Sequence, residues 1–295
     1  MTNKDKHFDH ILIIGYGDIG MRVATSWPEP ALPTYALKRS VDLQTSQLAN
    51  NITLLHADLD QPASLENLPL NNALIFYFAP PPTTGITDSR MQNFLASIEP
   101  DALPSRLVYI STSGVYGDQK GQLVSESTPA NPQVDRARRR YDAETQLRQW
   151  SDLTHVPVII LRVGGIYGPG RLPLKRIKDH IPLVYEELAP QTNRIHADDL
   201  AQVCIAAALI GQPDQVYNVS DGTNSNMTEY FNTIADYFNL PRPPLVDWEE
   251  AEQTISKGML SYLRESRRLD NSRMLNELKV QLKYKNLKAG LESCK

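Results

Sequence analysis

His10-Ile11-Leu12-Ile13-Ile14 runs directly into Gly15-Tyr16-Gly17-Asp18-Ile19-Gly20. The apolar run 11–14 reads as a buried strand, and Ile19, Met21, Val23 and Ala24 read as the opening of a helix. Between them stands a G-x-G-x-x-G spacing. Gly15 permits the tight turn off the strand, Gly17 lets the backbone approach a pyrophosphate, and Gly20 lets helix and strand pack closely. The helix N-terminus then turns its free N–H groups and positive dipole end toward the phosphates. All six loop residues, Gly15, Tyr16, Gly17, Asp18, Ile19 and Gly20, are therefore candidate cofactor-binding residues.

Outward from this unit, short apolar runs recur at 34–37, 52–55, 73–78, 107–110 and 158–162, with helix candidates between them at 90–98 and 137–150. Strands separated by helices predict a parallel sheet covered on both faces. Right-handed crossovers make it a doubly wound, Rossmann-like α/β fold. Prolines 169, 173, 182 and 190 break up the stretch after residue 166, and prolines 241, 243 and 244 mark a second transition. The expected organisation is a dinucleotide-binding core over 1–166 and a mixed region over 167–295. That region returns to the core at about 191–221 and forms a small C-terminal substrate lobe from 167–190 and 222–295.

Charge is uneven along the chain. The net formal charge is −4, yet residues 257–295 hold ten Lys or Arg against four Asp or Glu. This basic segment reads as a solvated helix pair, with a phosphate, an acidic partner or nucleic acid as alternatives. No zinc-finger or RNA-binding signature accompanies it, so a nucleic-acid partner is not expected. Two cysteines, Cys204 and Cys294, make no disulfide framework and suit a reducing compartment. There is no run of 18 apolar residues, and the N-terminal MTNKDKHFDH lacks the apolar centre of a signal peptide. A cytoplasmic protein without a membrane span is expected. The histidines are scattered, with no H-x-H or H-E-x-x-H spacing, so no metal is expected.

After the second strand comes Lys38-Arg39-Ser40, where an acidic residue would suit NAD. A guanidinium there can fork onto a ribose 2′-phosphate, which predicts NADP, with NAD as the alternative. In the alternative, Arg39 is a surface residue or stacks on adenine. Asp58 and Leu59, after the third strand, are candidates for the adenine amino group and ring. Phe78 and Ala79, after the fourth, would line the adenosine side or simply turn the chain out of the sheet.

The segment Tyr109-Ile110-Ser111-Thr112-Ser113-Gly114-Val115-Tyr116-Gly117 resembles the extended short-chain dehydrogenase/reductase superfamily, in its NAD-dependent epimerase/dehydratase branch. Residues 161–170 (LRVGGIYGPG), 194–201 (RIHADDLA) and 217–220 (YNVS) carry the same resemblance, and together the motifs cover most of 11–221. The resemblance implies hydride transfer at a carbinol or ketone carbon of a small polar substrate, such as a sugar nucleotide. It places the catalytic hydroxyl at Thr112, with Ser113 as its understudy. Otherwise the Thr112 hydroxyl ties down its own loop.

The family's next element, Tyr-x-x-x-Lys on a helix, is altered here. Taking Glu144 as the acidic residue that follows it, Arg136 stands at the tyrosine position and Arg140 at the lysine position. Arg140 can still hold ribose hydroxyls, but Arg136 stays protonated and cannot shuttle a proton. Tyr141 is turned about 100° away on a helix and reads as packing. The group Arg136, Arg138, Arg139 and Arg140 reads as a solvated helix start or as an anion site. His196 reads as a loop residue or a proton donor. Without a phenol, a second reading is a non-catalytic NADP-binding module that reports redox state. A homodimer is compatible with either reading.

Overall fold

The alternation of side chains along each strand explains why the sheet is buried on both sides. Ile11 and Ile13 enter one apolar core while Leu12 and Ile14 enter the other, and Leu74 and Phe76 are divided in the same way from Ile75 and Tyr77. The computed structural model describes residues 8–39 and 51–295. Ser40 and residues 1–7 of the N-terminal stretch read above lie outside the described residues.

Among the described residues, seven parallel strands form the sheet: β1 (His10–Ile14), β2 (Thr34–Lys38), β3 (Ile52–His56), β4 (Ala73–Tyr77), β5 (Arg106–Thr112), β6 (Val158–Val163) and β7 (Val216–Val219). Their order is β3-β2-β1-β4-β5-β6-β7. The winding reverses between β1 and β4, which opens a crevice at the carboxyl ends of the strands. The doubly wound α/β fold expected from sequence is the observed one. Strand β7 extends it: the stretch around Tyr217 pairs with β6 as a seventh core strand.

On one face lie α1 (Asp18–Ser26) and α5 (Ala197–Ile210); on the other lie α2 (Ser89–Ala96) and α3 (Asp135–Thr154). Helix α3 is longer than the predicted 137–150. It ends at His155, which adopts a left-handed φ of 60°. The remaining helices are α4 (Leu174–Lys178), α6 (Met227–Tyr237), α7 (Trp248–Thr254), α8 (Lys257–Leu263), α9 (Ser272–Leu278) and α10 (Leu287–Leu291).

Helices α4, α6 and α10 pack around Ile177, Phe231, Ile234 and Leu291, and α7 and α8 around Val184, Ala251, Leu260 and Leu263. Helix α9 instead returns to the sheet, burying Met274 and Leu278 in the core that contains β1. Two-residue strands stitch these parts together. Arg268–Leu269 pairs with Leu123–Val124, and Gln191–Thr192 with Ser225–Asn226. None of the described helices is long and apolar enough to cross a membrane.

Candidate active site

A buried carboxylate fixes the helix that carries the arginines. Glu144 of α3 is fully buried. Its Oε1 accepts from Ser111 Oγ at 2.6 Å and Arg162 Nε at 3.1 Å; its Oε2 accepts from Arg162 Nη2 at 2.7 Å and Arg148 Nη2 at 2.9 Å. These bonds pin α3 to β5 and β6. Arg140 and Arg136 stand four and eight residues earlier, so they lie along the same helix face. Arg140 Nη1 donates to Ile110 O at 2.9 Å and to the Tyr109 hydroxyl at 3.2 Å. Burial and the Arg140 charge act oppositely on Tyr109, and burial dominates, pushing its phenol up to about 12.

Thr112 ends β5. Its Oγ1 accepts from the Gly114 N–H at 3.2 Å, which leaves its own O–H free to donate. Thr112, Ser113 and Arg140 share one cavity of about 630 Å³ between the carboxyl edge of the sheet and the lobe. Six arginines and one glutamate are the charged residues of its wall: Arg136, Arg139, Arg140, Arg171, Arg194, Arg267 and Glu265.

Arg136 crosses toward the lobe. It bonds the Ser261 hydroxyl, lies 3.7 Å above the Tyr262 ring, and stands 3.9 Å from Glu265. Arg139 is buried, and its Nη1 donates to Gly85 O. Arg138 is exposed and pairs with Asp135 at 3.0 Å. The two alternatives left open for this group thus divide between residues: Arg138 is solvated, while Arg136, Arg139 and Arg140 face the cavity. Tyr141 packs beside Val115, Tyr116 and Leu269.

The glycine loop fits a dinucleotide. Gly15 has φ +95°, and a Cβ there would stand 2.6 Å from Ala79 N. A Cβ on Gly20 would meet Gly15 O at 3.0 Å and Ile13 Cγ2 at 3.1 Å, whereas one on Gly17 would meet nothing within 4 Å. Two glycines therefore serve packing and the third borders open space. Helix α1 begins at Gly17 without a side-chain cap, so its first N–H groups remain available for an anion.

Asp18 is engaged by both Arg22 and Arg171. Burial works against these partners, but together they hold its carboxyl below the usual range. Tyr16 and Ile19 turn their side chains into the core. A second cleft of about 190 Å³ brings together Gly15, Arg39, Asp58, Leu59, Ala79 and Arg90. Phe78 lies apart from it and packs on Phe76, with ring centroids 5.5 Å apart.

His196 is a buried cap. Its Nδ1 accepts from the Asp198 N–H at 3.1 Å, its Nε2 lies 2.9 Å from Ser293 Oγ, and its ring packs at a tilt of 42° against Tyr284, with centroids 3.9 Å apart. Burial pushes its pKa down, which suits a neutral structural ring. Asp199 accepts the backbone N–H groups of Lys283 and Tyr284. Among the described residues, no group of three His, Cys, Asp or Glu side chains could hold a metal.

Arg171, Arg194, Tyr262, Glu265 and Arg267 were not singled out from sequence as site residues. The signal available for the last three was the basic excess of 257–295. The fold brings this segment to the cavity by pairing Arg268–Leu269 with Leu123–Val124. Nearby, burial pushes the Asp221 carboxyl up to about 6. Its folded value lies above the unfolded one, about 3.9. Ionising it therefore opposes folding, and that cost grows as pH rises from about 4 through 6. Asp221→Asn should melt above wild type at pH 8 and level with it near pH 4. A melting-temperature gap independent of pH would contradict this.

The profile of the family described as "NAD dependent epimerase/dehydratase family" matches residues 11–220, more than two thirds of the chain. The chain belongs to this family. The mouse dTDP-D-glucose 4,6-dehydratase is 28% identical over 131 residues, which are 42% of this chain and 36% of that protein. The chain spans 36–40% of the length of this protein and its human and bovine counterparts.

A conserved protein of unknown function from Silicibacter pomeroyi DSS superposes with TM-score 0.79 at 28% identity, covering 96% of this chain and 97% of the other. A UDP-glucuronic acid 4-epimerase from Bacillus cereus, solved with NAD, shares the fold with TM-score 0.75 at 16% identity over 97% of both chains.

The predicted preference for NADP is overturned. The family is NAD dependent, and the similar structures described with a dinucleotide hold NAD. The cleft gives the physical reason. Arg39 is exposed and lies near Asp60, whose carboxyl is held low first by its bond to Arg90 and more weakly by Arg39. Among the described residues, Asp58 and Asp60 thus offset the charge of Arg39 and Arg90 at this cleft.

Proposed function

We propose that the protein is an NAD-dependent enzyme of the epimerase/dehydratase type, acting on a carbinol or ketone carbon of a small polar, sugar-nucleotide-like substrate. One observation carries the reading. The cleft at Gly15 and the cavity at Thr112 meet at Pro80, and the glycine loop borders both, through Gly15 on one side and the Asp18–Arg171 bond on the other. A dinucleotide laid along this path would put adenosine near Asp58 and Leu59, pyrophosphate at Gly17, and its nicotinamide end by Thr112 and Arg140.

Bound NAD would supply a reversible hydride acceptor. In this reading Thr112 donates its hydroxyl to the substrate oxygen and stabilises charge developing there. Ser113 flanks it. Arg140, anchored by Ile110 O and Tyr109, gives a fixed cation for ribose hydroxyls. In place of the phenol missing from α3, the wall offers the Tyr262 hydroxyl as a group able to exchange a proton.

Calorimetry with NAD, followed by turnover across sugar nucleotides, sugar acids and ketones, tests the reading. Thr112→Val should lower kcat by about 100- to 1,000-fold while leaving NAD affinity unchanged, the scale of one lost oxyanion donor. Wild-type kcat in that variant would remove Thr112 from the mechanism. The arginine at position 136 favours one other reading, a non-catalytic NAD-binding module. Tight NAD binding with no turnover on any substrate would select it.

A further inference from the structure

Four of the cavity's arginines stand away from the glycine loop: Arg136, Arg139, Arg194 and Arg267. Two carboxylates bear on them: Glu265 in the wall, and Asp221, which lies outside the wall and acts on Arg194. Glu265 is buried, and its Oε2 accepts from Arg267 at 3.0 Å and lies 3.9 Å from Arg136. Its Oε1 is buried and has no hydrogen-bond partner among the described residues. Arg139 is 7% exposed, and its Nε also lacks a partner.

Among the described residues, Arg194 has no carboxylate within ion-pair distance. Its Nη2 donates to Met227 Sδ at 3.2 Å, its guanidinium lies 3.8 Å over the Tyr230 ring, and its Nε is unpartnered. Burial pushes Arg194 and Arg267 below their ordinary values; Tyr230 and Asp221 work against this at Arg194 and Glu265 at Arg267, where the nearby Arg136 adds to it. Buried charges of one sign with incomplete pairing are costly unless a ligand of opposite sign completes them.

We propose that this wall is an anion subsite, in which Arg136, Arg139, Arg194 and Arg267 hold a phosphate or carboxylate on the part of the substrate that reaches Thr112. The inference rests on the reading of the cavity as a substrate site. It goes further by assigning the position of the missing phenol, Arg136, to anion binding rather than proton transfer. Arg136 suits that task because its guanidinium is always charged and presents a planar fork of donors to an oxyanion. Glu265 is then a stand-in: it partly neutralises the wall and is displaced or outcompeted when the substrate's own anion arrives. A phosphorylated sugar or a sugar acid would satisfy the wall, and an uncharged sugar ring would not.

The test uses inorganic phosphate and malonate as probes, titrated calorimetrically into the protein with and without saturating NAD. NAD blocks the glycine loop, so anion binding that persists in its presence reports the arginine wall. At least one probe should bind the NAD-saturated protein, and which one binds tells phosphate from carboxylate. Arg136→Gln should weaken that binding by about 10-fold or more, with partial recovery in Arg136→Lys.

Glu265→Gln should tighten it by about fivefold, because removing a competing carboxylate strengthens the field on the probe. A misfolded variant cannot produce that gain, and circular dichroism checks each variant. No binding of either probe, or a Glu265→Gln variant that binds no tighter than wild type, overturns the proposal. Failure of NAD itself to bind would instead overturn the cofactor reading, while the titrations without NAD still report on the arginines.

Discussion

Gly17→Val should abolish most NAD affinity in a protein that still folds. The backbone at Gly17 has φ −96°, which any residue adopts, and a Cβ there meets no atom within 4 Å. The fold therefore has no quarrel with the side chain. A dinucleotide does, because the branched carbons fill the space its pyrophosphate would occupy and cover the open N–H groups of α1. Overpacking of this kind costs on the order of 3 kcal/mol, about 100-fold in the dissociation constant.

Gly15→Ala makes the contrast. At φ +95° and 2.6 Å from Ala79 N, its Cβ strains the backbone, so the loss should appear in stability as well as in binding. Calorimetry and thermal melting on both variants distinguish the two roles. Wild-type NAD affinity in a folded Gly17→Val protein would contradict the assigned path.

The largest effect on stability is expected at Glu144. Glu144→Gln leaves the guanidinium of Arg162, itself 4% exposed, without its carboxylate in a site closed to water. Breaking one partner of a buried pair costs about 3–5 kcal/mol. Urea denaturation should show that loss as a lower midpoint with an unchanged slope. A loss under about 1 kcal/mol, the scale of a surface pair, would mean that Arg162 finds another acceptor. The same variant should loosen the seat of Arg140 one helical turn away, so NAD binding is expected to weaken with it.

The contrast between α1 and α3 shows where sequence reading succeeds. Strand β1 is legible as a continuous apolar run buried on both faces, and α1 because its buried positions follow the period of 3.6. The doubly wound parallel sheet was legible from strands separated by helices, but the strand order was read only from the structure. Helix α3 buries Arg139 and Glu144 on its inner face, beside Ala137, Ala143 and Leu147. Its arginines therefore left a solvated helix start and an anion site as alternatives, and nothing local marked Arg139 and Glu144 as core residues.

The cavity wall was harder still. Arg194 and Arg267 are 73 residues apart and meet only because short strand pairs fold the lobe over the sheet. No local pattern encodes such a meeting. Arg39 shows the opposite failure. It lines the cleft beside Gly15, Asp58 and Leu59, but its charge was counted without the neighbouring Asp60, which lies two residues beyond Asp58 on another loop.

A crystal structure of the protein grown with NAD tests the central claim most directly. The account predicts the pyrophosphate against the Gly17 backbone, adenosine beside Asp58 and Leu59, and the nicotinamide ring within reach of the Thr112 hydroxyl and Arg140. NAD bound elsewhere, or a nicotinamide ring pointing away from Thr112 and the arginine-lined cavity, would contradict it.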